Sequence, residues 1–396
     1  MAVSEQYYQS MLDAISVGAP VLGQGGYGTV YEVETNGKAF VCKISPDTIP
    51  LSELTGSLRI KFPQTISEIV PVEYNGLSDN KPSILIDGHS CIIPQVDYGS
   101  MYSRSLRTLR EIWALYHLKE NYPSKNIVNI EYAAFIQAPP LIPGVEDGED
   151  PLYYLALLEE RVEDGMNLYD WVETEEAGLY TLNYYLKQFL GISNILDRAS
   201  DLIIHRDIKT SNILIGRDED GSPVFKLADF GSTLISDDTL GHSGRYVGTN
   251  PFIAPEVFLH SKDATNKSDQ YSLALTIAEA LFGLYPLSRP ENFDNYSLRE
   301  LVKYFEDVSQ GFIIEFNSTG FMQGINDSYP DSFDSLQLND ITAVFAKALN
   351  YDPTQRYDTC SDFILDLREV LNENQQGGRR VNPKDLGHSK SRTPSQ

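Results

Sequence analysis

Three side chains with oxygen to offer recur at close spacing within residues 203–231: Asp207, Asn212 and Asp229. Two carboxylates and an amide are hard oxygen ligands of the kind Mg²⁺ prefers. Asp229 opens an Asp-Phe-Gly triplet, and Lys209 sets a cation shortly after Asp207. Between Asn212 and Asp229 lie two apolar runs, Ile213–Ile215 and Val224–Leu227, around the turn-rich segment Gly216–Pro223. Such runs about a turn predict a β-hairpin, which would bring Asp229 back to the end where Asn212 begins. A second set suits phosphate: Gly23, Gly25 and Gly28 in the order Gly-x-Gly-x-x-Gly, then Lys43. Glycines let backbone N–H groups approach phosphate oxygens with no side chain in the way.

The elements that must hold these residues read as follows. A strand, Thr29–Glu34, comes after the glycines where a dinucleotide-binding fold needs a helix. Past the turn at Asn36-Gly37, strand Ala39–Ile44 carries Lys43. Arg107–Asn121 repeats Leu109, Ile112, Leu115 and Leu118 at helical spacing and carries Glu111. A strand over Asn126–Phe135 follows, then a Pro-, Gly- and acid-rich loop, then a strand within 152–162. Leu179–Ala199 is amphipathic and reads as scaffold; Gln270–Phe282 is apolar nearly all round, which marks a buried helix.

The run HRDIKTSNIL followed by ADFG, with the glycine loop, Lys43 and Ala254-Pro255-Glu256, resembles the protein kinases. Lys209 and the GTNPFIAPE segment are similar to the Ser/Thr branch. The resemblance implies an α+β, bilobal fold: a small β-rich N-lobe bearing an insertion, and a larger, mainly α-helical C-lobe. It implies ATP and Mg²⁺ as cofactors and a protein Ser/Thr hydroxyl as acceptor. Asp207 would then be the base that orients the hydroxyl, and Lys209 the cation on the transferring group. Asn212 and Asp229 would hold Mg²⁺, with Thr249 bridging Asp207 and Lys209. Leu22, Gly23, Gly25, Gly28 and Val30 would line the nucleotide, with Lys43 on its phosphates. Glu111 is the expected partner of Lys43, preferred to Glu53 and Glu68 because it alone precedes the NIV strand pattern. The hinge near Glu159–Val162 would offer backbone groups to adenine, with either Leu158 or Glu159 guarding the pocket. Val41 stands where the family usually has Ala over the adenine. Asp269 would hold the catalytic-loop backbone, and Arg356 would pair with Glu256. Arg206 suggests control by loop phosphorylation, with Ser243 the first choice of site and Thr239 the second.

Domain bounds follow from the same landmarks: an N-terminal extension over 1–14, the N-lobe over 15–161 and the C-lobe over 162–375. The insertion occupies about 46–104. Its apolar runs (Ile66–Val72, Ile84–Ile86, Cys91–Val96) are expected to form extra strands laid on the small lobe. Residues 376–396 form a tail with five Lys/Arg against one Asp and few large apolar groups, expected to be disordered. A net charge of −25 argues against nucleic acid or an anionic membrane as partner. Cys42, Cys91 and Cys360 show no paired or metal-type spacing, and the N-terminus lacks the order of a signal peptide. A cytoplasmic setting is therefore expected, with oligomeric state left open. Two rival readings are weaker. A small-molecule phosphotransferase would not be expected to carry the GTxxxxAPE segment with Arg356. An inactive scaffold would usually have lost a metal or lysine group.

Overall fold

The computed structural model describes residues 7, 20–25, 28–35, 37–50, 69–78, 81–86, 89–92, 103–137, 152–162, 165–235, 252–260, 263–287, 296–309, 316–330 and 332–372. Glu53, Glu68, Thr239, Ser243, Thr249 and the tail 376–396 lie outside them. The chain divides into two compact units. The first takes Met1–Gly165, Asp201–His205 and Ala228–Arg245; the second takes Met166–Ser200, Arg206–Leu227 and Tyr246–Gln396.

Among its described residues, the first unit is built on one antiparallel sheet and one long helix. Its elements are β1 (Val21–Gly25), β2 (Gly28–Thr35), β3 (Lys38–Ile44), β4 (Ile49–Pro50), β5 (Ile69–Ser78), β6 (Lys81–Ile86), β7 (His89–Ile92), α1 (Ser103–Asn121), β8 (Ile130–Gln137) and β9 (Leu152–Glu160). The strand order is β1-β2-β3-β9-β8-β5-β6-β7, with β4 added against β9. One face of this sheet buries Phe40, Cys42, Ile44, Ala134, Ile136, Ala156 and Leu158 in a single apolar cluster. Two residues of β10 (Ile203–Ile204) pair with β13 (Leu234–Ile235) in the same unit.

One expectation changes here and another gains detail. The strand expected from Asn126 begins only at Ile130. Ser124 Oγ accepts from the Asn126 N–H at 3.1 Å, and the Asn129 N–H donates to the Glu160 carboxylate at 2.8 Å. Side chains thus draw these N–H groups away from a ladder, and the segment turns before it extends. The insertion's described strands do form on the small lobe as expected, and they continue its sheet edgewise. β5 bonds the outer edge of β8 through Ile69↔Ile136, Val70↔Phe135 and Pro71↔Ala134, then turns its remaining length to β6. The changeover is marked by a register shift between Tyr74 and Leu77 and by Gly76 at φ 69°, a conformation that glycine adopts without strain.

Helix α1 is fastened to that extension. Trp113 Nε1 donates to the Gly76 carbonyl at 3.0 Å, and the Tyr74 hydroxyl and His117 Nδ1 share a hydrogen bond of 2.8 Å. The Trp113 and His117 rings stack at 4.7 Å, and Trp113 is fully buried. The apolar side expected of this helix does face the core: Leu109, Ile112, Leu115 and Leu118 are all buried.

The second unit is mainly helical: α2 (Leu168–Trp171), α3 (Leu182–Ala199), α4 (Pro255–Leu259), α5 (Asn266–Phe282), α6 (Leu298–Ser309), α7 (Ser318–Ser328), α8 (Ser335–Ala348) and α9 (Cys360–Asn372). A hairpin joins β11 (Ile213–Arg217) to β12 (Pro223–Leu227), with Ile213 opposite Leu227. Helix α3 starts at Leu182, later than the expected Leu179, because Thr181 caps it by accepting from the Tyr184 N–H. Ala177–Leu179 forms a separate short turn. Helix α5 has a capping box at Thr265 and Ser268 and ends at Gly283, φ 64°. It is buried along nearly its whole length.

Candidate active site

In the first unit the phosphate-type residues fall into one row. Gly23 pairs with Val30, Val30 with Lys43, and Lys43 with Leu157 across β1, β2, β3 and β9. Directly opposed residues of antiparallel strands share a face, so Val30 and Lys43 lie on one side of the sheet. Leu22, beside Gly23, is half exposed. Gly28 cannot be replaced without movement: at φ +132°, a Cβ there would sit 2.1 Å from the Ile44 carbonyl oxygen. At Gly23 an added Cβ would meet nothing within 4 Å, which leaves the surface over that strand open. Gly25 ends β1, paired with Gly28.

Lys43 is buried, and its ammonium reaches both oxygens of Glu111 at 2.7 and 2.8 Å. It also lies 3.4 Å from Asp229 Oδ1. Burial alone would pull the lysine pKa down, but the carboxylates of Glu111, Asp229 and Glu159 outweigh it and hold the ammonium protonated. For Glu111, burial pushes the carboxyl up, and the Lys43 charge offsets part of that. The two directions are consistent with one ammonium facing more than one carboxylate. Asp229 itself adopts a left-handed backbone, φ 61° and ψ 72°, at the start of the turn Phe230–Ser232. Gly231 packs closely here: a Cβ would lie 3.2 Å from Asp229 Oδ1, a tight approach, and 3.5 Å from Glu111 Oε2. Phe230 is buried with its ring edge-on to His205 at 4.6 Å, and His205 Nε2 bonds the Ala228 carbonyl at 3.2 Å.

In the second unit Asp207, Lys209 and Asn212 come together. Lys209 Nζ lies 3.1 Å from Asp207 Oδ2. Asn212 Nδ2 donates to the Asp207 carbonyl at 2.9 Å and to its carboxylate at 3.1 Å. With its nitrogen committed to Asp207, the Asn212 amide turns its oxygen the other way. That donor set suits a hard cation, which needs oxygen rather than nitrogen or sulfur. The loop is held by α5. Asp269 Oδ1 accepts from the Arg206 N–H at 2.8 Å, Thr276 Oγ1 donates to the Ile208 carbonyl at 3.3 Å, and Thr210 Oγ1 donates to Glu279. Asp269, Thr276 and Glu279 recur at helical spacing on one side of α5. Thr276 and Glu279 escape the motif reading, although their spacing from Asp269 could have found them.

Arg356 meets Glu256 through two parallel bonds, 2.7 and 2.9 Å, and also donates to the carbonyls of Asn350 and Lys267. Its side chain is fully buried and its guanidinium lies 4.9 Å from the Tyr271 ring centre. Leu158 and Glu159 fall on opposite sides of the sheet. Leu158 opposes Cys42 and joins the apolar cluster, whereas Glu159 opposes Val41.

A lysine fixed on a helix glutamate, an Asp-Phe-Gly turn beside it and an Asp-Lys-Asn loop braced by a buried helix define a protein kinase domain. Residues 99–366 match the sequence model of the protein kinase domain, so the chain belongs to the protein kinase family. That span includes Glu111, Asp207, Lys209, Asn212, Asp229, Glu256 and Arg356. The strands bearing the glycines and Lys43 precede it, and their place rests on the sheet pairing above. The chain is 29% identical over 234 residues to the serine/threonine-protein kinase PrkC of Bacillus subtilis (59% of this chain, 31% of that protein). It is 26% identical over 251 residues to mitogen-activated protein kinase kinase 8 of Arabidopsis thaliana (61% and 75%). With the probable serine/threonine-protein kinase PBL25 of the same plant it shares 27% over 345 residues (77% and 81%). It therefore spans about a third of the length of PrkC and most of the two plant proteins.

Proposed function

We propose that the chain transfers the γ-phosphoryl group of Mg-ATP to serine and threonine hydroxyls of protein substrates. The observation that carries this reading is the buried Lys43 ammonium held on both oxygens of Glu111 beside Asp229. Phosphoryl transfer asks the protein chiefly for positioning and charge, and this pair keeps one cation at a fixed place. Lys43 binds phosphate oxygens, under the backbone of Gly23, Gly25 and Gly28, with Leu22 and Val30 along the nucleotide. Asp207 accepts the proton of the attacking hydroxyl and orients it. Lys209 sits against Asp207 and steadies negative charge on the transferring group. Bound Mg²⁺ neutralises phosphate charge, and Asn212 and Asp229 are the residues that would hold it. Few protein ligands, completed by phosphate oxygens, is the pattern Mg²⁺ favours.

The Ser/Thr assignment draws on Lys209 and on the printed names of the relatives. Autophosphorylation on Ser243 or Thr239, and a regulatory role for residues 376–396, belong to the same reading and concern positions outside the described residues. Free buried thiols at Cys42 and Cys360 fit a reducing, intracellular setting. Among the described residues no helix is long and apolar enough to cross a membrane.

The test is incubation with labelled ATP, Mg²⁺ and a basic generic acceptor, with Asp207→Ala alongside, followed by mass-spectrometric mapping. Phosphoserine or phosphothreonine that disappears in the variant is the expected result. Equal incorporation by both proteins overturns the assignment of Asp207. ATP binding without transfer by either would overturn the enzyme reading in favour of a nucleotide-binding scaffold.

A further inference from the structure

The sheet of the first unit has a second face, opposite Lys43, which the phosphate chemistry does not use. Side chains alternate along a strand, so Phe40, Cys42 and Ile44 of β3 point away from the side of Lys43. Eight residues from β2, β3, β8 and β9 form one apolar cluster there, and none exceeds 5% exposure. Tyr31, Tyr132 and Tyr154, from the same sheet, pack against it. Among the described residues of this cluster and its surround, Tyr7 is the one from outside the sheet. Its ring meets Phe40 edge-on at 5.5 Å and stacks with Tyr132 at 6.0 Å. Four strands about 4.8 Å apart, followed from Phe40 to Ile44 at about 3.3 Å per residue, make a face of roughly 14 by 13 Å. One tyrosine ring cannot keep a face of that size from water.

We propose that residues 4–15 dock on this face as an amphipathic helix, an internal partner for the sheet. The inference is independent of the phosphoryl-transfer reading. Tyr7 has helical backbone. Tyr7, Tyr8, Met11, Leu12 and Ile15 recur at helical spacing on one side, with Gln6, Gln9 and Asp13 on the other. A helix of about 12 residues measures about 18 Å, enough to cross the face. The chain then rejoins the sheet at a fixed point, because the Pro20 carbonyl accepts from the Glu32 N–H at 3.0 Å just before β1. The link from Ile15 to Pro20 can reach about 16 Å. β1 lies two strands from β3, about 10 Å away, so the link is long enough. A second copy of the chain would have to displace Tyr7 to reach the same surface. Docking takes an apolar patch out of water and holds the strand whose alternate residues present Val41 and Lys43.

Cys42, fully buried within the cluster, reports on the cover. The full chain is treated with a thiol reagent, and modification of each cysteine is followed by peptide mass mapping. The unaltered protein is compared with Tyr7→Asp, Met11→Asp and Gln9→Asp. A buried group reacts through local opening, so Cys42 is expected to react about tenfold or more faster in Tyr7→Asp and Met11→Asp. Its rate should not change in Gln9→Asp, and Cys360, buried in the second unit, should not change in any variant. A Cys42 rate indifferent to Tyr7→Asp and Met11→Asp overturns the proposal, as does an equal rise in Gln9→Asp. A second measurement needs no substitution: hydrogen exchange of the unaltered protein is expected to show protection across residues 4–15. Exchange there as fast as in a free peptide of the same sequence overturns the docking. Cys42 modification that speeds up on dilution of the unaltered protein would assign the face to a second copy and overturn it as well.

Discussion

Lys43, Glu111 and Glu159 show how few residues set the character of this face. Replacing Lys43 by Met leaves Glu111 buried without its cation, and removal of one partner of a buried pair typically costs about 3–5 kcal/mol. Denaturant unfolding of Lys43→Met is expected to show a loss of that order, with much of it recovered in the double variant Lys43→Met/Glu111→Leu. An equal loss in both would mean that the lysine's packing, and not its pairing, matters. Arg356→Ala is expected to cost about as much, since Glu256 loses two bonds and three carbonyls lose a donor. Glu159 gives a pH dependence. Its folded-state value, about 8, lies above the ordinary carboxylate value of 4.5. The folded chain therefore holds this proton more tightly than the unfolded chain. The resulting stability is fully present below 4.5 and is lost as pH rises toward and through 8. Glu159→Gln is expected to melt higher than the unaltered protein at about pH 9 and at nearly the same temperature at about pH 4. A constant difference at both would locate the effect in packing.

At the level of elements, α1 and the edgewise strands are one construction. Trp113 contributes its stack on His117, its bond to the Gly76 carbonyl and a fully buried indole. Trp113→Ala is expected to cost about 3–5 kcal/mol, with the loss read by denaturant titration and with weaker hydrogen-exchange protection along β5. Protection unchanged along β5 would show that the strand does not depend on the helix. Much of this level was legible in the sequence. Chemistry fixes both residue type and spacing for Asp207, Lys209, Asn212 and Asp229. The apolar spacing of Leu109, Ile112, Leu115 and Leu118 gave the buried side of α1, and Ile213–Ile215 with Val224–Leu227 gave the hairpin. What stayed hidden depended on pairing across long separations. Ile66–Val72 reads as a strand, but nothing within it says that β8 is its neighbour. Leu158 and Glu159 are adjacent, and only register against β3 separates the apolar side from the side of Lys43. The late start of β8 was hidden for a smaller reason: Ser124 and Glu160 divert N–H groups that an apolar run had suggested were in a ladder.

For the whole molecule the dominant quantity is a net charge of −25. Self-repulsion of that size opposes the compact state, while the buried Lys43–Glu111 and Arg356–Glu256 pairs are screened little by salt. Moderate salt is therefore expected to stabilise the chain. Raising sodium chloride from about 0.01 to about 0.15 M shortens the screening length from about 30 to about 8 Å and should raise the melting temperature. A fall would mean that exposed ion pairs such as Lys267–Asp358 contribute more than the repulsion.

The position of β9 also governs the order in which the chain can become a protein. It is the last strand of the large sheet to be synthesised, yet it lies between β3 and β8 and also receives β4. At about 5–20 residues per second, it follows β1 from the ribosome by roughly 7–30 seconds. Through most of that interval β3 waits with an unpaired edge, and β8 joins the wait shortly before β9 is made, the condition under which nascent chains aggregate or recruit chaperones. The first unit is not finished even then, since β10 must still find β13. The half of the chain that begins first is thus obliged to wait for residues well beyond its own sheet.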